Sequence, residues 1–305
     1  MKRNVQSLSV CVPGKKCINH CKFCVSCMHA DAYKNQMDEN LPFYDLYLED
    51  YVKSMIFAKE NDANTMMITG DIEPLQNRHF LQTLSLINNY ILPQKGCSPF
   101  NWIEIQTSAV GFDEGYARFL RNTVGVRVFS FSLSSFDSKK NSEIVGMPKN
   151  MTVDIEKVCE IAKTYDFTLR LSLNMSLEMI QSVTSSNYYS EIVPRIFEKA
   201  NKLGADQVTF RKFYTDGDNE QSRWIRNNAV PDQFFDYLHS YVRENGKLIG
   251  VLPYGYNQYS VQGISVVIDE DCMNEAKTEK EASKYFVIRP DCKLYDGWNK
   301  EDKIF

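Results

Sequence analysis

Short apolar runs and helix-spaced apolar positions alternate along most of this chain. Val5–Val12, Thr65–Thr69, Trp102–Thr107, Val126–Leu133, Phe167–Leu173 and Asp206–Phe213 are short stretches rich in β-branched and aromatic residues, and they predict six buried strands. Between them, Asp45–Asn61 puts Leu48, Val52, Met55 and Ile56 on one helical face, and Asn77–Leu92 does the same with Phe80, Leu84, Ile87 and Ile91. Asp113–Asn122, Val153–Tyr165 and Tyr189–Leu203 continue the series, the last closed by Gly204, a residue suited to a helix C-terminus. Six strand–helix alternations predict parallel strands joined by right-handed crossovers. The expected fold class is α/β, a partial TIM-type (β/α)6 barrel with a C-terminal α+β cap. A doubly wound sheet would show the same alternation.

The rhythm changes after residue 214. Asp232–Glu244 is helical in pattern, and Leu248–Leu252, Gly263–Ile268 and Tyr285–Arg289 are strand-like, with Pro290-Asp291 marking a hairpin turn. Two regions are expected: a core of residues 1–214 and a C-terminal extension, 215–305, capping the barrel. Tyr214, Trp224, Tyr254, Tyr256, Tyr295 and Trp298 would pack that cap or wall a pocket.

Composition narrows the field. Of 305 residues, 43% are hydrophobic and 24% charged, the balance of a soluble globular protein. A net charge of −4 carries no basic excess for nucleic acid. No apolar run approaches the length of a membrane span, so no membrane partner is expected. The opening Met-Lys-Arg-Asn leads into a strand without an apolar leader, and nine cysteines then read as reduced thiols of a cytoplasmic protein.

The chemistry is concentrated in Cys17-Ile18-Asn19-His20-Cys21-Lys22-Phe23-Cys24. Three thiolates on one loop would ligate three corners of a [4Fe–4S] cluster and leave the fourth iron open. A structural zinc wants four ligands, and Cys27 or His20 would be the fourth. The loop follows the first strand, so it lies at the carboxyl ends of the strands, where such folds gather their active groups. His20 and His29 flank the cysteines and are expected to pack the loop. Cys11, Cys159, Cys272 and Cys292 do not form a second cluster motif.

The C-x3-C-x2-C spacing and its Phe23 resemble the cluster loop of the radical S-adenosylmethionine (SAM) superfamily. The resemblance covers about residues 5–213. It implies Cys17, Cys21 and Cys24 as cluster ligands, SAM on the open iron, reductive cleavage of SAM, and a 5′-deoxyadenosyl radical that abstracts hydrogen from a substrate. Thr69-Gly70-Asp71-Ile72-Glu73-Pro74 resembles the glycine-rich segment that binds the SAM amino group, with Gly70 and Glu73 in place and Ile72 where a second glycine is common. Ser130–Asp137 resembles the segment near the ribose and carboxylate, with Ser132 the preferred contact. Arg170 and Asn174 would reach the carboxylate and ribose, Phe23 the adenine, and Arg211 the pocket or the substrate. A flavodoxin- or ferredoxin-type one-electron donor is implied. The substrate would be a small or nucleotide-like molecule; a peptide-modifying or glycyl-radical-activating enzyme is the enzymatic rival. The non-enzymatic rival is a zinc-stabilised binding module on Cys17–Cys27.

Overall fold

The computed structural model describes residues 4–28, 45–252, 255–271, 282–298 and 300–305. Strands β1 (Asn4–Cys11), β2 (Thr65–Thr69), β3 (Trp102–Thr107), β4 (Val128–Leu133), β5 (Thr168–Asn174), β6 (Gln207–Arg211), β7 (Gly246–Val251), β8 (Asn257–Val261), β9 (Ile264–Asp269), β10 (Ala282–Ile288) and β11 (Leu294–Tyr295) form one sheet. Its order is β11-β10-β1-β2-β3-β4-β5-β6-β9-β8-β7.

From β1 to β6 the neighbours follow chain order and every pair is parallel. The order never reverses, which excludes the doubly wound arrangement. Crossovers of one hand that always step the same way put their helices on one face of the sheet. Leu8, Ile68, Ile105, Phe129, Leu171 and Phe210 are fully buried under those helices. The alternate residues of the same strands point the other way. There Ser7, Ser9, Glu104, Gln106, Arg170 and Arg211 make the opposite face polar.

Side-chain caps fix several helix starts. Asn77, Asp113, Asp137, Asp154, Ser176 and Asn219 each accept a hydrogen bond from the backbone amide three residues on. Three of these helices, Ser138–Val145, Leu177–Gln181 and Glu220–Asn228, are absent from the periodicity reading, and so is strand β8.

The tail departs from the expected cap. β9 pairs parallel with β6, and β10 pairs parallel with β1, so residues after 214 extend the sheet at both flanks. A row of parallel strands ends in unpaired amides and carbonyls, and the tail satisfies them. The predicted hairpin at Pro290-Asp291 is present, joining β10 to β11. Lys284 Nζ on β10 reaches Asp269 Oδ1 on β9 at 2.8 Å. Those strands flank opposite ends of the six-strand row, so the sheet curves far enough for side chains of its two flanks to meet over the polar face.

Candidate active site

The cysteine loop is held on three sides. Where it leaves β1, the Val12 amide donates to the Thr69 carbonyl at 2.8 Å. A Cβ on Gly70 would lie 3.0 Å from the Val12 nitrogen, so any larger residue would push the two backbones apart here. Ile72, the departure from the resembled segment, is explained by its neighbour: a Cβ on Gly14 would meet Ile72 Cδ1 at 2.3 Å. Gly14 makes room for the larger side chain.

On the second side, the helix Ser138–Val145 offers its free carbonyls. His20 N donates to Val145 O at 3.1 Å and Lys22 N to Ile144 O at 3.2 Å. Gly146 follows at φ 65°, and a Cβ there would sit 2.5 Å from the His20 carbonyl oxygen. On the third side, Phe23 packs against Phe213 and Trp224, with ring centroids 5.0 and 6.0 Å apart. Phe213 follows β6, and Trp224 belongs to the helix Glu220–Asn228.

Cys17, Cys21, Phe23, Cys24, Gly70, Glu73, Ser132, Asn174 and Arg211 all line one cavity of about 300 Å³ at the carboxyl ends of the strands. Arg170 is not among them. It lies deeper, ion-paired with Glu104 and donating from Nε to Gln207 Oε1 at 2.8 Å. Its face was legible from strand alternation; its depth was not.

Glu73 is the buried anchor of the cavity, at 4% exposure. Thr107 Oγ1 donates to Oε1, and Ser108 donates to Oε2 from N at 2.9 Å and from Oγ at 2.6 Å. Burial pushes its carboxyl above the ordinary value, and these hydrogen bonds pull it partly back. Among the described residues no cation pairs with it. Asn19, which the motif reading passed over, donates from Nδ2 to Ser108 Oγ at 2.8 Å and so ties the cysteine loop to Glu73. Its burial inside a loop of half-buried and exposed neighbours is the structural signal; the sequence carries none.

Asn174 Nδ2 lies 3.1 Å from both Ser132 Oγ and Ser134 Oγ. One amide thus meets both serines, which share a face of the strand end. Ser130 Oγ and Asp71 Oδ2 also border the cavity, buried and without a hydrogen-bond partner among the described residues. Trp298, from the tail, completes the wall.

The thiols suit a metal cluster. Burial raises Cys17 and Cys21. A hydrogen bond with Cys27, together with burial, raises Cys24. Protein groups alone thus hold the three as neutral thiols, and a bound cationic metal would deprotonate them. Cys27 is exposed and does not line the cavity. Among the described residues, no three His, Cys, Asp or Glu side chains converge on one ion. Cys11, Cys159 and Cys292 are buried apart; His29, Cys272 and Tyr254 lie outside the described residues.

No protein-family model matches the chain, and no curated protein does. Solved structures do match. Streptococcus suis SuiB bound to S-adenosylmethionine aligns over 96% of this chain and 60% of its own, at 12% identity and a TM-score of 0.56. A second SuiB structure gives 0.52 over the same shares. The methyltransferase TsrM of Kitasatospora setae, a radical S-adenosylmethionine enzyme, aligns over 68% of this chain and 36% of its own, at 14% identity and a TM-score of 0.42. The chain therefore spans about 60% of the length of the SuiB structures it matches, and over that span it shares their fold.

Proposed function

We propose that this chain is a radical SAM enzyme built on a partial (β/α)6 barrel, residues 1–214, with 215–305 closing its flanks. One observation carries the reading: Cys17, Cys21 and Cys24 open into the same cavity as Glu73, Ser132 and Asn174, at the carboxyl ends of parallel strands. The fold shared with SuiB, solved with SAM bound, supports it.

In this reading Cys17, Cys21 and Cys24 hold a [4Fe–4S] cluster and leave one iron open. When bound, the cluster and SAM would supply reductive carbon–sulfur cleavage and a hydrogen-abstracting radical. The remaining roles belong to the chain. Glu73, buried and without a cation among the described residues, accepts a ligand ammonium in a charge-assisted bond. Ser132 and Asn174 present a hydroxyl and an amide to a polyol such as ribose. Phe23 stands with Phe213 and Trp224 as an apolar wall for a flat base. Gly70 admits backbone close to the ligand. Trp298 and the loop exclude water from the reacting atoms. A one-electron donor of flavodoxin or ferredoxin type reduces the cluster, and the setting is cytoplasmic. The substrate is a small molecule rather than a peptide.

The opening of Cys17, Cys21 and Cys24 into the cavity that holds Glu73, Ser132 and Asn174, with Cys27 outside it, favours a cluster over the zinc module, which needs a fourth protein ligand. Anaerobic reconstitution with iron and sulfide, followed by dithionite and SAM, tests the assignment. The expected result is a brown protein that releases 5′-deoxyadenosine, with both properties lost in Cys21→Ala. A colourless protein that binds zinc instead overturns it.

A further inference from the structure

The polar face of the sheet encloses a second cavity of about 620 Å³, within the range of small-molecule sites. Thr69, Gln106, Arg211 and Trp298 border both cavities, so the two adjoin. In a packed α/β barrel the inward positions carry mostly branched aliphatic residues. Here serine, threonine, amide and charged side chains take those positions, and their charges are unevenly committed.

Glu104 is occupied by Arg170 and by Gln106 Nε2 at 3.2 Å, and Arg170 is further held by Gln207. Asp269 serves two cations. Lys284 Nζ lies 2.8 Å from its Oδ1 and also donates to the Asp271 carbonyl. Arg211 lies within the field of the same carboxylate; burial raises the Asp269 carboxyl, Lys284 and Arg211 lower it, and the net direction is down. The remaining acid on this cavity, Asp62, is exposed just before β2, at the far end of the strands. Arg211 Nε is buried and meets no acceptor among the described residues. Ser9 Oγ, fully buried on the same cavity wall, meets none either.

We propose that Arg211 binds a carboxylate of the substrate, and that the body of that substrate, a small molecule rich in hydrogen-bonding groups, occupies the central cavity. A planar guanidinium matches two coplanar carboxylate oxygens. One under-committed cation balances a monoanion and leaves the second charge of a phosphate unpaired. The junction position holds the carboxylate end of the substrate beside the cavity that takes SAM. This rests on the radical SAM reading and narrows its substrate to carboxylic acids.

The test uses a panel of α-amino, α-hydroxy and N-acetyl amino acids, each paired with its primary amide. They are titrated into the purified protein with thermal shift and tryptophan fluorescence as readouts. SAM is titrated separately into the reconstituted protein. At least one acid is expected to bind, with its amide weaker by roughly tenfold or more. Arg211→Gln should lose the acid by a similar factor, Arg211→Lys should recover only part of it, and both should keep their affinity for SAM. The proposal is overturned if no acid binds, if amides bind as well as acids, or if Arg211→Gln keeps the acid. It is equally overturned if the variant loses SAM instead, which would assign Arg211 to the cofactor. Failure of the radical SAM reading looks different: iron does not assemble, whereas acid binding is scored on the protein without it.

Discussion

The two cavities share a boundary and are built in opposite ways. The one at the strand ends is lined by thiols, hydroxyls, amides and the Glu73 carboxylate, with which no cation pairs among the described residues, and its lining is largely supplied by the turns that follow strands. The central one is lined by side chains of the strands themselves, and its charges are largely paired. Strand β5 passes from one to the other. Arg170, Ser172 and Asn174 share its inner face, yet Arg170 is tied to Glu104 while Asn174 bonds Ser132 and Ser134. Four residues of strand span roughly 13 Å. Sharing a face therefore does not mean sharing a site, and depth along the strand decides whether a polar side chain is structural or free for a ligand.

Removing Arg170 tests that division most severely. Glu104 is 1% exposed, and stranding a buried charge costs about 3–5 kcal/mol. Arg170→Met should lower the unfolding midpoint in urea by a corresponding amount, and the double variant Glu104→Gln/Arg170→Met should recover most of it. SAM affinity in the reconstituted protein should be close to wild type in the double variant. A double variant that is stable but has lost SAM would restore Arg170 to the cofactor site and erase the distinction between the cavities.

The same division explains what could be read from the chain. Strand β2 at Thr65–Thr69 and strand β3 at Trp102–Thr107 have the predicted limits, because apolar alternation and turn residues are local signals. The cysteine loop and the Gly70–Pro74 turn were legible because their chemistry sits within a few residues. Helix Ser138–Val145 was missed although Asp137 caps its start and Gly146 closes it. Only Ile144 and Val145 are apolar in that segment, so periodicity is silent where the caps are informative. The pairing of β10 with β1 joins residues nearly a chain length apart, and no local pattern encodes it. Nor does any local pattern encode Asn19 meeting Ser108, or Asp269 shared by Lys284 and Arg211.

Gly146 sharpens the comparison at an intermediate scale. Alanine at a left-handed position costs about 1–2 kcal/mol in backbone strain. Gly125, at φ 83°, serves as the control: its added Cβ meets only Ile103 Cδ1, at 3.8 Å. Both Gly125→Ala and Gly146→Ala should lose stability on that order. In Gly146→Ala alone the new Cβ would also press on the His20 carbonyl, immediately before Cys21. Iron bound after reconstitution should fall in Gly146→Ala and hold in Gly125→Ala. Equal iron content in both would mean that the helix end does not position the loop.

The smallest effect concerns Glu73 and is one of slope. Burial holds its carboxyl above the ordinary 4.5. The folded chain therefore keeps that proton at pH values where the unfolded chain has released it. With more protons bound to the folded state, stability falls as pH climbs from 4.5 through the folded pKa. Glu73→Gln removes the titration, so its melting temperature relative to wild type should rise across that window and level off above it. A ligand ammonium paired with Glu73 would favour the ionised carboxylate and draw the folded pKa back down. SAM added to the reconstituted wild type should then flatten the slope, and in Glu73→Gln it should change nothing. Acids that occupy only the central cavity should leave the slope unaltered in both proteins. If they flatten it as SAM does, the two cavities are not electrostatically separate, and the boundary at Arg211 does not divide cofactor from substrate.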